Sequence, residues 1–598
     1  MEENKELVKD ITEDILEKKK EEIKAEEDQV QGEEVELGVS KELLEEEKEF
    51  VEEEKKELRE EKRVSEKVSV EDKKNKEKKK TFFDKAKEKT IDFLKDKYNL
   101  AFLVVLVLAF LIRLKYIGQE SLWNDAAVHL WYAIKVTKEP LFMFTSQYIG
   151  GDYFVIQTLT AFFNIFLDNI FLSGKIIATG FGLLGVVFIY LWGRELGSKL
   201  IGLVSAILLG FNHLFWFYNV RLLADGPLTA MVAVVMYLVV KLEKEKKFLW
   251  GLLTAGGFLV LMLIKSQGGL LFVIFLIYLI FFKRREALQN KGLLVSWLVP
   301  LILIAAGSLI LGSNFFANLS SRLFAGAGFD YAGLKALAHL PWIFSWYLLI
   351  PIILGIILIL IYKKREYYFP LIAGILYWLY FEIGVGLPED RYLLPLLPIG
   401  IVLASFAVVE LGNYLKLFVG KNKLIKYAVA LLIVILAVLV SWNFYQTGDD
   451  LIYNKSFTYT GHYEAGEWIK ENVPEDAIVF AGSPRMMRTF TEREYAGPEG
   501  WDKGGNSLWY LRADQYLRDK STFEKDLDTL IKENDVYLEI DIWEYTQPSW
   551  YFPLNQDSLN YFGSLGFEPV KVVERELNTQ DGVQNFPVIF IFKKGKEN

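Results

Sequence analysis

The acidic residues with the most chemical promise stand just past the first apolar run. Asp125, in SLWNDAAVHLW, lies about eight residues beyond it, and Asp152 follows the two glycines of YIGGDYF. Either carboxylate could take a proton from a hydroxyl, and either could instead cap the helix-like stretch behind it. His129, one turn on from Asp125, reads first as a structural histidine, with metal ligation the minor alternative. Basic residues make a second set. Lys175, Arg221, Lys265 and Arg391 each fall at the end of a different apolar run. One such side chain could simply snorkel to the headgroups. Four of them around one acidic loop fit another need, the counter-charge for a lipid-linked phosphate at membrane depth. Asp225, four residues after Arg221 in NVRLLADGPL, reads as a cap before Gly226 and Pro227. Glu389 and Asp390, in LPEDRYLLPLLP, either pair with Arg391 or orient an acceptor.

These residues need a scaffold, and composition says which kind. Hydrophobic residues make up 52% of the 598 and aromatics 15%, with no cysteine at all. Disulfides, cysteine-zinc sites, iron–sulfur clusters and thiol nucleophiles are therefore excluded. The net charge of −9 belongs to one end, because residues 1–97 hold 34 acidic and 25 basic residues and leave 43 of each beyond. Such a tail cannot bury enough apolar surface to fold alone, so disorder or a solitary solvated helix is expected for 1–97. The remainder carries twelve apolar runs between about residues 99 and 442, a pattern that rules out a soluble enzyme or a nucleic-acid binder.

One run decides the topology. YFVIQTLTAFFNIFLDN (153–169) is short and contains Gln157 and Asn164. If it spanned, the basic loops KLEKEKK, FFKRREALQNK, IYKKREYY and YLKLFVGKNKLIK would all lie outside. If it rests in the interface they all lie inside, as positive charge prefers. The expectation is thus a mainly α, polytopic protein with about 11 transmembrane helices, spanning 98–443, its N-terminal tail cytoplasmic. Residues 444–598 are expected outside the membrane as a small α/β domain. HYEAGEWIKENVPEDAIVFAG reads there as helix, turn and strand, DVYLEID and NFPVIFIFKK as further strands, and 508–533 as helical.

An ordered set of segments resembles the GT-C glycosyltransferases, in particular the protein O-mannosyltransferase and lipid A aminoarabinose transferase branch. The segments are RLKYIGQESLWNDAAVHLWYA, NVRLLADGPLTA, LMLIKSQGGLL, EDRYLLPLLP and GHYEAGEWIKENVPEDAIV, covering about residues 98–500. Two departures stand out. The acidic pair of the family is Asp125–Ala126 here, and Gly150-Gly151-Asp152 stands where the family has His-Pro-Pro or Lys-Pro-Pro. The resemblance implies a GT-C membrane fold with juxtamembrane helices in the first outer loop. It also implies Asp125 as catalytic base and an inverting transfer from a polyprenyl-phosphate sugar, with mannose one candidate. Arg221, Lys265 and Arg391, with Lys175, would then contact the donor phosphate, and Asp152, Asp225, Glu389, Asp390 and His129 would support the acceptor side.

That chemistry is coherent on its own terms. One carboxylate deprotonates an acceptor hydroxyl as it attacks the anomeric carbon, and cations stabilise the departing phosphate. A divalent cation could supplement them, although no spacing of outer His and Asp residues demands one. The partners implied are a polyprenyl-phosphate sugar donor, a protein, lipid or glycan acceptor, and the bilayer, with no nucleic acid. A lipid-linked-saccharide transporter is the alternative from another class, though ionisable residues gathered at one face argue against it. A catalytically degenerate GT-C scaffold is left open by Ala126.

Overall fold

The computed structural model describes residues 93–119, 122–145, 154–310, 334–385, 389–418, 423–493, 507–510, 520–543, 554–579 and 582–596, with 91 and 552. The chain divides into Met1–Asp96 and Lys97–Asn598. The expected helix or disorder of the charged tail lies outside the described residues, as does Asp152.

Among the described residues of the second unit, seven helices are long and apolar enough to cross a membrane. They are Lys97–Leu114, Ile170–Leu196, Asp225–Glu245, Lys291–Ile310, Lys335–Tyr362, Leu396–Phe418 and Lys423–Lys455. An eighth crossing is built from Lys199–Gly210 and His213–Val220, bent by 57°. The bend has a local cause, since Asn212 leaves the helix and its Oδ1 caps the next one by accepting from Phe215 N at 3.0 Å. Phe248–Ile264, Gln267–Phe282 and Tyr368–Gly384 are shorter apolar helices. Counting all three as spans would give the eleven proposed from the sequence. Close helix contacts rest on glycine. A Cβ at Gly251 would meet the Gly292 carbonyl oxygen at 2.1 Å, so the helices Phe248–Ile264 and Lys291–Ile310 approach backbone to backbone there.

Phe154–Leu167 has only 14 residues, about 21 Å of helix against a hydrocarbon core of about 30 Å. It buries Ile156, Gln157, Thr160 and Ala161 and leaves Phe162, Phe163, Ile165 and Phe166 exposed. A two-faced short helix of this kind suits an interface. Its buried face packs on the juxtamembrane helix Asn124–Lys138 through Ala161, Ala133 and Val136.

The last long helix, Lys423–Lys455, has 33 residues and at about 50 Å outreaches the hydrocarbon core. Its far end is clamped to the end of the first helix by Asp449, which accepts from Lys115 Nζ at 2.6 Å and Tyr116 Oη at 2.5 Å. Beyond it lies a five-stranded sheet in the order β2-β1-β3-β5-β4. Its strands are β1 (Ile478–Ala481), β2 (Ser507–Tyr510), β3 (Val536–Asp541), β4 (Glu568–Thr579) and β5 (Gly582–Lys594). The first three are parallel, while β5 runs antiparallel to β3 and β4. Two expectations need correction. The start of 508–533 is strand, not helix, because SLWY pairs with β1, and β4 adds an edge strand whose charged residues hid it.

Candidate active site

The helix Asn124–Lys138 starts on Trp123 in extended backbone, and no side chain caps it. The cap reading of Asp125 therefore fails. Asp125 sits in the first turn, where the helix dipole favours a negative charge. Its carboxylate is gripped from two sides: Arg391 Nη1 donates to Oδ2 at 2.7 Å, and Arg485 Nη1 to Oδ1 at 3.1 Å. Burial pushes the Asp125 carboxyl up, but the Arg391 hydrogen bond and the Arg391 and Arg485 charges outweigh it and hold the group below its usual range. Asp125 is thus ionised at neutral pH.

Arg391 comes from the four-residue helix Asp390–Leu393. Its Nε also pairs with Glu389 Oε2 at 2.6 Å, and that carboxylate is more than half exposed. Asp390 accepts from Tyr218 Oη and Trp342 Nε1, each at 3.1 Å. Asp225 is not a cap either, since its helix begins on Ala224 without a side-chain bond. It pairs instead with Lys265 Nζ at 2.6 Å, both side chains buried. The Lys265 ammonium lies 5.0 Å from the centre of the Tyr392 ring, and the Arg391 guanidinium 5.3 Å from the same ring. One aromatic thus joins the two charge pairs.

Arg221 donates to the Lys455 carbonyl at 3.1 Å and lies over the rings of Trp123 and Phe217. Lys175 is buried and, among the described residues, makes no ion pair; its ammonium lies 5.1 Å from the Phe171 ring centre. His129 is buried one turn below Asp125, and burial lowers its pKa to about 4, so it is neutral. A cavity of about 230 Å³ opens beside this array, lined by Trp123, Tyr218, Trp342, Glu389, Arg391 and Lys455.

The structure therefore brings together Asp125, Arg391, Glu389 and Asp390, with Asp225–Lys265 behind them and Arg221 across Trp123. Lys175 joins none of these pairs but lies close enough to Arg221 for the two charges to act on each other. Sequence reasoning missed Arg485. It comes from the helix Pro484–Thr491 of the C-terminal sheet domain, which lies along the juxtamembrane helix. There Thr489 Oγ1 donates to the Ala127 carbonyl at 2.8 Å, and the Arg488 guanidinium stacks 3.3 Å over the Trp131 ring. SPRMMRTF signals a helix start with two arginines one turn apart, but nothing in it names a partner 360 residues away.

Residues 154–309 match the family described as dolichyl-phosphate-mannose-protein mannosyltransferase. That segment contains Lys175, Arg221, Asp225 and Lys265 but neither Asp125 nor Arg391. No curated protein matches the sequence at a significant level. ArnT from Cupriavidus metallidurans bound to undecaprenyl phosphate superposes with a TM-score of 0.53 at 10% identity, over 83% of this chain and 97% of that one. The Archaeoglobus fulgidus oligosaccharyltransferase in the apo form gives 0.52 at 14%, over 74% and 70%. The archaeal oligosaccharyltransferase AglB from Archaeoglobus fulgidus, in complex with an inhibitory peptide and a dolichol-phosphate, gives 0.51 at 15%, over 75% and 70%.

The chain has the GT-C fold. With its apolar helices, that makes it an integral, multi-pass membrane protein. Within the GT-C fold the ionised carboxylate, the buried cations and the cavity all lie at the Asp225 end of the helix Asp225–Glu245. The other end of that helix carries Lys241, Lys244 and Glu245 among surface ion pairs.

Proposed function

We propose that this protein is an inverting glycosyltransferase that moves a sugar from a polyprenyl-phosphate donor to an acceptor hydroxyl on the extracytoplasmic side. The observation that carries the reading is the Asp125 carboxylate, held ionised between two arginines beside a cavity that one of them lines. In the reaction the acceptor oxygen attacks the anomeric carbon while Asp125 takes its proton. The bond from that carbon to the phosphate oxygen breaks, and its electron pair leaves with the polyprenyl phosphate. Arg391 serves both ends. Its pair with the exposed Glu389 is weak enough for a donor phosphate to replace. Once the phosphate draws on the guanidinium, Asp125 loses part of the charge that depresses it and becomes a stronger base. Lys175, a buried lysine with no carboxylate partner among the described residues, would gain a counter-charge from the same anion.

The relatives support the donor class, since undecaprenyl phosphate and dolichol-phosphate are bound in two of them. Mannose is the first sugar to test because the matching family is described by it. The basic loops at the far ends of the spans support a cytoplasmic side for those ends and for the N-terminal tail, with the sheet domain outside.

Asp125→Asn tests the reading. If Asp125 only pairs with the arginines, the amide should cost stability but leave turnover of the folded variant, whereas loss of a base should lower transfer about 100-fold or more. The folded variant should still bind polyprenyl-phosphate donor. Near wild-type turnover would remove Asp125 as base and send the search to Asp152.

A further inference from the structure

The outer domain buries a second constellation, which the transfer chemistry does not use. His462 opens the helix His462–Asn472, and Glu539 and Asp541 lie two apart on β3, so both carboxylates face one side of the sheet. All three side chains are fully buried, and their ligand atoms lie within 4.8 Å of one another. Nothing in the sequence flagged them, because His462 is 77 residues from Glu539 and no short motif joins them.

We infer that His462, Glu539 and Asp541 form a divalent-metal site, zinc by its donor set, that locks the outer domain onto the Asp125 loop. The orientation of each ligand is the first support. His462 Nδ1 faces the Tyr459 carbonyl at 3.0 Å, which fixes the ring and turns Nε2 toward the carboxylates. Glu539 Oε2 accepts from the backbone N–H groups of Gly482 and Ser483, at 2.9 and 3.3 Å, leaving Oε1 to face inward. Asp541 Oδ1 accepts from Trp543 N at 2.7 Å, and Oδ2 from Ser483 Oγ at 2.7 Å. Among the described residues, His462 Nε2 and Glu539 Oε1 have no hydrogen-bond partner. Buried polar atoms aimed at one point without partners are costly unless something fills the point.

Spacing is the second support. His462 Nε2 lies 3.4 Å from Asp541 Oδ2 and 3.8 Å from Glu539 Oε1. A proton shared in an ion pair would draw such atoms to about 2.7–2.9 Å. Ligands held about 2.1 Å from a tetrahedral zinc stand roughly 3.4 Å apart. One imidazole and two carboxylates match zinc, and the Ser483 hydroxyl or a water would complete four-coordination.

The site's neighbours give it a task. Tyr459, whose carbonyl orients His462, bonds through its hydroxyl to Asn124 at 3.0 Å. Ser483 precedes the helix that carries Arg485 to Asp125. A metal would therefore tie both strips of outer domain that touch the Asp125 loop. That task rests on the proposed role of Asp125, whereas the metal content does not.

The full-length protein, purified in detergent without a histidine tag or chelator, should carry about one zinc per chain by elemental mass spectrometry. Dialysis against a chelator should lower its melting temperature and added zinc should restore it. Cobalt in its place should give the visible absorption of a tetrahedral site. His462→Asn and the near-isosteric Glu539→Gln should both lose the metal and the response to zinc. Wild-type protein with less than about 0.1 metal per chain, and a melting temperature unmoved by zinc, would overturn the site. So would metal retained by both variants. Metal bound in a protein that transfers no sugar would leave the site standing and count against the Asp125 reading alone.

Discussion

The helix Asp225–Glu245 carries charge at both ends, and the two ends treat it differently. At the first, Asp225 and Lys265 are paired inside the protein with side chains 3% and 8% exposed. At the other, Lys244 reaches Glu195 and Lys246 reaches Glu286 through side chains roughly a quarter to half exposed. Exposed pairs cost little to hold and contribute little, while buried pairs pay a desolvation penalty that seldom favours the fold. One buried pair and one partly buried pair around a single tyrosine, at one end only, fit a use besides stability. The far end fits a solvated basic flank, where charge serves orientation in the bilayer.

That contrast can be broken experimentally, and Asp125→Asn, described above, carries the largest expected effect. Arg391→Ala comes next. Loss of one charge-assisted contact should weaken donor binding roughly ten- to hundredfold, whatever sugar the lipid carries. A loss confined to one sugar would move Arg391 from the phosphate to the sugar. Lys265→Ala leaves a buried carboxylate without its partner and should destabilise the protein by about 3–5 kcal/mol in detergent unfolding. The double change Lys265→Met with Asp225→Leu should recover most of that stability but not transfer.

A pH profile sharpens the role of Arg485. Because the folded pKa of Asp125 is lowered, its ionised form persists as pH falls and is lost only on passing below that value. Arg485→Gln removes one of the lowering charges while burial still raises the pKa, so the acidic limb of activity should move to higher pH. An unmoved limb would mean that Arg485 does not act on Asp125. The smallest effect belongs to the exposed end. Glu286→Gln, which breaks a 3.1 Å pair with Lys246, should change stability by less than about 1 kcal/mol and leave transfer unchanged.

Much of the scaffold was legible in the sequence for a simple reason. In hydrocarbon every backbone group must bond within its own helix, so uncharged runs have little choice but to be helical. A different signal set 153–169 apart from the spans, a short run with Gln157 and Asn164 whose interfacial placement puts every basic loop on one side. Residue type also singled out Asp125, Asp225, Lys265 and Arg391, because charge beside apolar runs is costly enough to be noticed. Apart from Glu389 with its near neighbour Arg391, which charge meets which was not legible. Asp125 and Asp225 sit at helix starts and look like caps in one dimension, yet their carboxylates turn to Arg391, Arg485 and Lys265.

Sequence alone determined that this chain lives in a membrane, where its helices run, and which residues carry charge at their ends. Periodicity and hydropathy are local properties, read within about twenty residues. Tertiary structure alone decided that Arg485 closes on Asp125 across 360 positions and that His462, Glu539 and Asp541 converge. Pairings between distant segments depend on how helices and sheet pack together, and no short window of residues encodes that packing.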